Sequence, residues 1–196
     1  MSKNQPKEKR MRDVIETAVN LFLERGFEET SMDLIAKTSG LSKGGLYHHF
    51  ESKEQLLLAA NNVYFDPVVK IMETALDMNS PAEGLRFFVR ESLRHWSLHQ
   101  KELVFVFLSN SRMLSKIELW KQIASYSEHM LQFYEFMFLK GIDMNEFVFH
   151  DAKSRAIALF AAIDGISPYL VMSKDITAQS AAKSIEEVYI NPIVKQ

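Results

Sequence analysis

The stretch TSMDLIAKTSGLSKGGLYHHFESK, Thr30 to Lys53, decides how the rest of the chain is read. It holds two short helical patterns, each opened by a hydroxyl residue, with Ser39-Gly40-Leu41 between them and a third helix start at Ser52. That order predicts a helix-turn-helix, whose second helix is held out from the body so that its side chains can enter a DNA major groove. In the first helix Thr30 is the expected cap, Asp33 returns the bond in a capping box, and Leu34 and Ile35 face inward. Gly40 closes it, because so tight a turn favours a residue that tolerates positive φ. Leu41 is expected to bury under the turn and Ser42 to cap the second helix. There Leu46 and Phe50, four residues apart, face the core and leave Lys43, Gly44, Tyr47 and His48 outward. A polar, aromatic and basic outer face on so short a helix is suited to contact.

LSKGGLYHHFESKEQLL, Leu41 to Leu57, preceded by an amphipathic helix and RGFEETSMDLIAKTSG, resembles the TetR family of transcriptional regulators. The matching motif covers about Met11 to Leu57; beyond it the likeness is one of length and helical layout. The resemblance implies an all-α homodimer that binds a palindromic operator and releases it when a small molecule enters the C-terminal domain. It places Lys43 against a guanine or a phosphate, Tyr47 against a thymine methyl or a phosphate, and His48 outward. His49 matches the family's histidine and is assigned to phosphate rather than base. Gly44 lets the backbone come close, and Ser42 and Gly45 complete the expected contacts. At Gly45 the chain departs from the Thr or Ser that family members often carry, which puts a hydroxyl contact in doubt. The paired glycines weaken the helix by roughly 1 kcal/mol each relative to alanine, so the helix is expected to firm up on DNA. Thr30 and Ser31 with the free amides of the first helix form one expected anion site. Ser52 and Lys53 at the next helix start form another, although Lys53 also reads as a solvated surface lysine.

Composition narrows the rest. The chain has 196 residues, 47% of them hydrophobic, which is enough for a real core and excludes a disordered chain. No continuous apolar run approaches the roughly 20 residues of a membrane span, and Ser2 to Arg12 is polar and basic, unlike a signal peptide. With no cysteine there are no disulfides or thiolate metal sites, which fits a cytoplasmic protein. The net charge of −2 speaks against nucleic acid until its distribution is considered. Residues 1–12 carry five basic side chains against Glu8 alone, a basic arm that equally reads as a solvated tail. Residues 13–54 carry eight acids against four bases, and the acids are expected to sit mainly at Glu24, Glu28 and Glu29, away from the reading helix. A basic arm beside a nearly neutral reading face predicts a modest salt dependence of DNA binding.

Along the chain, helix 1 is expected from about Lys7 to Arg25, with Met11, Val14, Ile15, Ala18, Val19 and Phe22 on its inner face and Gly26 ending it. Helix 4 starts at Ser52 with Gln55 completing a capping box. Pro67 either kinks or breaks helix 4, or opens a new helix. Ser80-Pro81-Ala82-Glu83 is a strong helix start. Lys101 to Met113 alternates Val and Phe like a strand, but a lone strand has no partner, so helix is expected. Ser115 to Glu118 opens a helix that Gly141 closes, and Asp143 to Phe149 reads as a loop or a single turn. Two helices over residues 151–173 and 178–191 complete the chain, with Pro168 kinking the first. The expected architecture is therefore all-α: a helix-turn-helix unit over residues 1–54, joined by helix 4 to a larger effector-binding and dimerisation domain over 55–196.

In that larger half, Phe88, Trp96, Phe105 and Met113 are candidate ligand contacts, as are Trp120, Tyr126, Met130 and Tyr134. The same residues at helical spacing equally fill a core. Small residues Ala158, Ala161, Ala162 and Gly165 allow close approach of another helix, and with Ile185, Val188 and Tyr189 they form a candidate dimer face or an ordinary internal contact. Glu91, His95 and His99 share a face at ligand spacing, yet no HExxH is present, so no metal and no cofactor are expected. No nucleotide loop, GxSxG or cysteine nucleophile points to an enzyme. The reading is a ligand-responsive regulator, most simply a repressor, with operator DNA, a small apolar or aromatic effector and a second copy as partners. The alternative is an all-α small-molecule carrier with a vestigial helix-turn-helix.

Overall fold

The structure, a computed structural model, describes residues 7–115, 117 and 120–195. Residues 1–6 of the expected basic arm, and Lys116 and Glu118 of one expected helix start, lie outside the described residues. Contacts divide the chain into two compact units, Met1–Phe65 and Asp66–Gln196. The described residues are helical with short connections and contain no strand, only an isolated bridge between Phe147 and Val194.

In the first unit α1 runs over Lys7–Arg25, α2 over Met32–Ser39 and α3 over Lys43–Tyr47, and α4 begins at Lys53. Val14, Ile15, Ala18, Val19 and Phe22 recur at three and four residues along α1 and are all buried. With Met32, Ile35 and Ala36 of α2, Leu46 of α3, and Leu56, Leu57 and Ala60 of α4 they make up the small core of this unit. Gly26 ends α1 at φ 86°, a conformation in which a side chain is strained.

The helix α4 continues over Lys53–Leu76 with Pro67 inside it, so the expected break is absent. One lost ladder bond is tolerated in so long a helix, and Val68 and Ala75 beyond the proline are buried. In the second unit α5 spans Pro81–Leu98, α6 Gln100–Leu114, α7 Trp120–Asp143, α8 Ala152–Ile166, α9 Tyr169–Met172 and α10 Ala178–Ile185. Ser80 caps α5 by accepting from the Glu83 amide at 3.1 Å, with Pro81 in the first turn. The core lies where α7 packs against α8 and α5 against α7 and α10, around Phe88, Phe133, Tyr134, Met137 and Phe138. Gly84 brings α5 within reach of neighbours: a Cβ there would stand 2.6 Å from the Ala75 carbonyl oxygen and from Met137 Cε.

Three sequence expectations change here. Gly141 does not close α7, which runs on to Asp143; its role is steric, since a Cβ would lie 2.1 Å from the Phe147 ring. The helix expected over 151–173 is split at Ser167 and Pro168 into α8 and α9. The last helix ends as α10 and passes into a π-turn over Glu186–Ile190, then a 3-10 turn over Asn191–Ile193. Arg90 clasps that π-turn, with Nε and Nη2 each 2.6 Å from one carboxylate oxygen of the largely buried Glu186.

Candidate nucleic-acid interface

The presentation of α3 follows from two anchors and two caps. Ser31 caps α2, accepting from the Leu34 amide at 3.1 Å. Gly40 at φ 70° ends α2 in the left-handed region, and the Leu41 amide returns to the Ala36 carbonyl at 2.9 Å. Ser42 caps α3 by accepting from Gly45 N at 3.0 Å. Leu46, fully buried, and Phe50, nearly so, pin α3 to the core, so Lys43, Gly44, Tyr47, His48 and His49 are exposed. Tyr47 keeps 42% of its surface open to solvent.

The two glycines differ. A Cβ at Gly44 would meet nothing within 4 Å, so this position is open towards solvent, whereas a Cβ at Gly45 would stand 3.1 Å from Ser42 Oγ. A side chain at Gly45 therefore presses on the cap that starts the helix. Beside these residues lies a cavity of about 420 Å³ framed by Arg10 and Met11 of α1 with Leu41, Ser42, Gly45, His48 and His49. Sequence reasoning does not single out Arg10 for the site; the basic character of residues 1–12 is the available signal. The imidazoles of His48 and His49 meet edge to face at 5.1 Å.

Two expected contacts are corrected. Thr30 is fully buried, its hydroxyl donating to the Gly26 and Leu21 carbonyls at 2.8 and 3.2 Å, so it neither caps α2 nor faces outward. The Lys53 ammonium donates to the Phe27 carbonyl at 2.7 Å and the Glu28 carbonyl at 3.4 Å, and sits 4.5 Å from the Phe27 ring centroid. It holds the turn after α1 rather than standing free for a phosphate. The expectation that acids keep clear of the reading face also fails at Asp33, whose carboxylate accepts from Lys43 Nζ at 2.9 Å.

In the second unit most ligand candidates are core. Phe88, Trp96, Phe105, Met113, Met130 and Tyr134 are buried, and Phe88 contacts Phe133 and Tyr134 at ring distances of 4.9 and 5.6 Å. Tyr126 is half-buried, and desolvation followed by the charge of Asp164 raises its pKa well above the usual phenol value. Trp120 departs from the set: it is half exposed, with its indole N–H donating to the Leu114 carbonyl at 2.9 Å. Of the dimer candidates, Ala161, Gly165 and Val188 are exposed, Ala158, Ala162 and Tyr189 are partly covered, and Ile185 is buried. Ile185 thus belongs to the subunit core, because α10 turns that side towards α5. The stretch Ala152–Met172 is long and apolar enough to cross a membrane by length and composition, but it is interrupted between α8 and α9. Glu91 pairs with Arg94 and His95 stacks on His99 at 4.2 Å; among the described residues no group could hold a metal ion.

Known proteins share both the motif and the fold. Residues 14–60 match the family model described as bacterial regulatory proteins, tetR family. The HTH-type transcriptional regulator YuxN of Bacillus subtilis (strain 168) is 41% identical over 74 residues, 37% of this chain and 25% of that protein. The chain spans between a quarter and just under half of the length of several curated relatives it matches. Among solved structures, the TetR family regulator PfmR from Thermus thermophilus covers 93% of this chain and 99% of its own, with TM-score 0.72 and 26% identity. AibR, solved with isovaleryl coenzyme A and operator DNA, covers 92% and 98%, with TM-score 0.70 and 26% identity. The helix-turn-helix is matched by sequence and the helical fold over nearly the whole length, so over residues 14–60 and in its fold the chain is similar to the tetR family of bacterial regulatory proteins.

Proposed function

We propose that this protein is a cytoplasmic, ligand-responsive DNA-binding regulator, acting as a repressor that leaves a palindromic operator when a small apolar or aromatic effector binds. The observation that carries the reading is the exposed row of Lys43, Tyr47, His48 and His49 on a helix fixed from beneath by Leu46 and Phe50. Lys43 and Tyr47 are assigned to base edges, while Ser31, Ser42, His48, His49 and Arg10 are assigned to phosphates. Gly44, open on its outer side, lets the duplex approach the backbone.

The reading head is assigned to residues 1–54 and the effector and dimer functions to 55–196. The exposed small residues of α8, with Ile157 50% exposed and Val188 60% exposed, support a homodimer through α8 and the C-terminal turns. Such a dimer sets two reading heads about 34–36 Å apart for successive major grooves. An effector that favours another spacing lowers operator occupancy by its differential affinity for the two states. The isovaleryl coenzyme A bound to AibR makes short acyl thioesters the first compounds to screen as effector.

The deciding experiment is a gel shift on the region upstream of the protein's own coding sequence. Tyr47→Ala is expected to lower affinity more than about tenfold while circular dichroism and sedimentation remain those of the parent. Unchanged affinity in a folded variant would show that α3 is not the reading helix.

A further inference from the structure

The ammonium of Lys43 is already engaged on the face that is proposed to meet DNA. It donates to Asp33 Oδ2 at 2.9 Å, and it lies 6.0 Å from the centroid of the Tyr47 ring. The two side chains keep 64% and 59% of their surfaces exposed, so the pair is on the reading surface and not beneath it. The hydrogen bond and charge of Asp33 raise the lysine pKa above its usual 10.5. An acid in the first turn of α2 is favoured by the helix dipole. That preference accounts for an acid near Asp33's place in sequence but not for its reach across the turn to the first residue of α3.

A carboxylate here acts against DNA in two ways. It neutralises a cation that would otherwise displace a counterion from any duplex, and it repels the phosphates that approach Lys43. Both effects are independent of sequence. They are offset only where the ammonium gains a partner better than Asp33, such as the paired acceptors O6 and N7 of guanine in the major groove. We infer that Asp33 is a specificity-determining positioning residue: it holds Lys43 back from phosphates on arbitrary DNA and yields it to a base edge at the correct site. The inference rests on the DNA-binding reading above and adds to it the device that keeps non-specific affinity low.

The test uses the full chain and fluorescence anisotropy on two duplexes of equal length, one from upstream of its own coding sequence and one of random sequence, across a salt series. Asp33→Asn is expected to raise affinity for the random duplex about two- to fivefold at low salt, the scale of an exposed pair. The slope of log K against log salt should steepen by about one, as for one further phosphate neutralised. The upstream duplex should gain less, so the ratio of the two affinities narrows. Asp33→Ala, which favours helix, serves as a second neutral variant, and Asp33→Glu should restore the parental ratio. Adding Lys43→Gln to Asp33→Asn should abolish the gain. Neutral variants that leave both affinities and the slope unchanged, that weaken both while folded, or that keep their gain without Lys43 overturn the inference while the DNA-binding reading stands. A parent protein that binds neither duplex overturns both.

Discussion

The helix α3 and the interior of the larger unit carry similar residue types, a tyrosine and basic or aromatic neighbours, but the fold treats them oppositely. On α3 the ring of Tyr47 is turned out although Leu46 beside it is fully buried, whereas on α7 the ring of Tyr134 is sealed among Phe88 and Phe133. Exposing an aromatic ring forfeits burial that typically stabilises a fold by roughly 1.5–3 kcal/mol. An outward ring such as that of Tyr47 is thus left open to contact. A buried ring has its own reason to be there and says little about ligands.

The first way to break this contrast is in the larger unit. Phe88→Ala removes a ring that is 1% exposed and contacts two others. It is expected to cost roughly 3–5 kcal/mol, read as a lower urea midpoint. If Phe88 mainly lined an open pocket, the loss would be small and effector affinity would fall instead. A smaller effect separates residues within the motif itself. Thr30→Val deletes the buried hydroxyl that donates to the Gly26 and Leu21 carbonyls and is expected to cost about 1–2 kcal/mol without altering DNA affinity of the folded protein, the reverse of Tyr47→Ala. A selective loss of DNA binding in Thr30→Val would return that residue to the interface.

The smallest expected effect is a pH dependence in α5. Burial, assisted by the neighbouring His99, lowers the His95 pKa below 6.5; Glu102 acts the other way and Arg94 adds to the lowering. Above 6.5 the imidazole is neutral in both folded and unfolded chains, and the stability it contributes is fully present. As pH falls below 6.5 the unfolded chain takes the proton first, and that stability is lost through the folded-state pKa. The stability of the parent to chemical denaturation should therefore decline as pH falls below 6.5, and His95→Gln should flatten that part of the profile. A parental profile flat there would mean that the ring is effectively solvated.

What can be read in advance follows the same contrast. The bounds of α1, the left-handed turn at Gly40 and the inward pair Leu46 and Phe50 depend on periodicity and on φ, both local properties of the chain. Lys53 escapes such a reading because its partner carbonyls, in the turn after α1, are brought near only by folding, and Thr30 because the way that turn closes decides where its hydroxyl points. Ser31 and Thr30 are equally good caps by type; the Leu21 and Gly26 carbonyls that take the Thr30 hydroxyl decide between them. Gly141 has the look of a stop signal because its steric neighbour, Phe147, approaches only in three dimensions. Asp33 is legible as an acid at a helix start, but its pairing with Lys43 is not.

The lysine at the start of α4 has a mechanical consequence. Because its ammonium is bonded to the carbonyls of Phe27 and Glu28 and lies over the Phe27 ring, the opening turn of α4 and the end of α1 have no slack between them. Sliding one past the other would break charge-assisted bonds worth about 1.5–3 kcal/mol. A displacement imposed on the first turns of α4 therefore meets resistance at the turn after α1 until those bonds give.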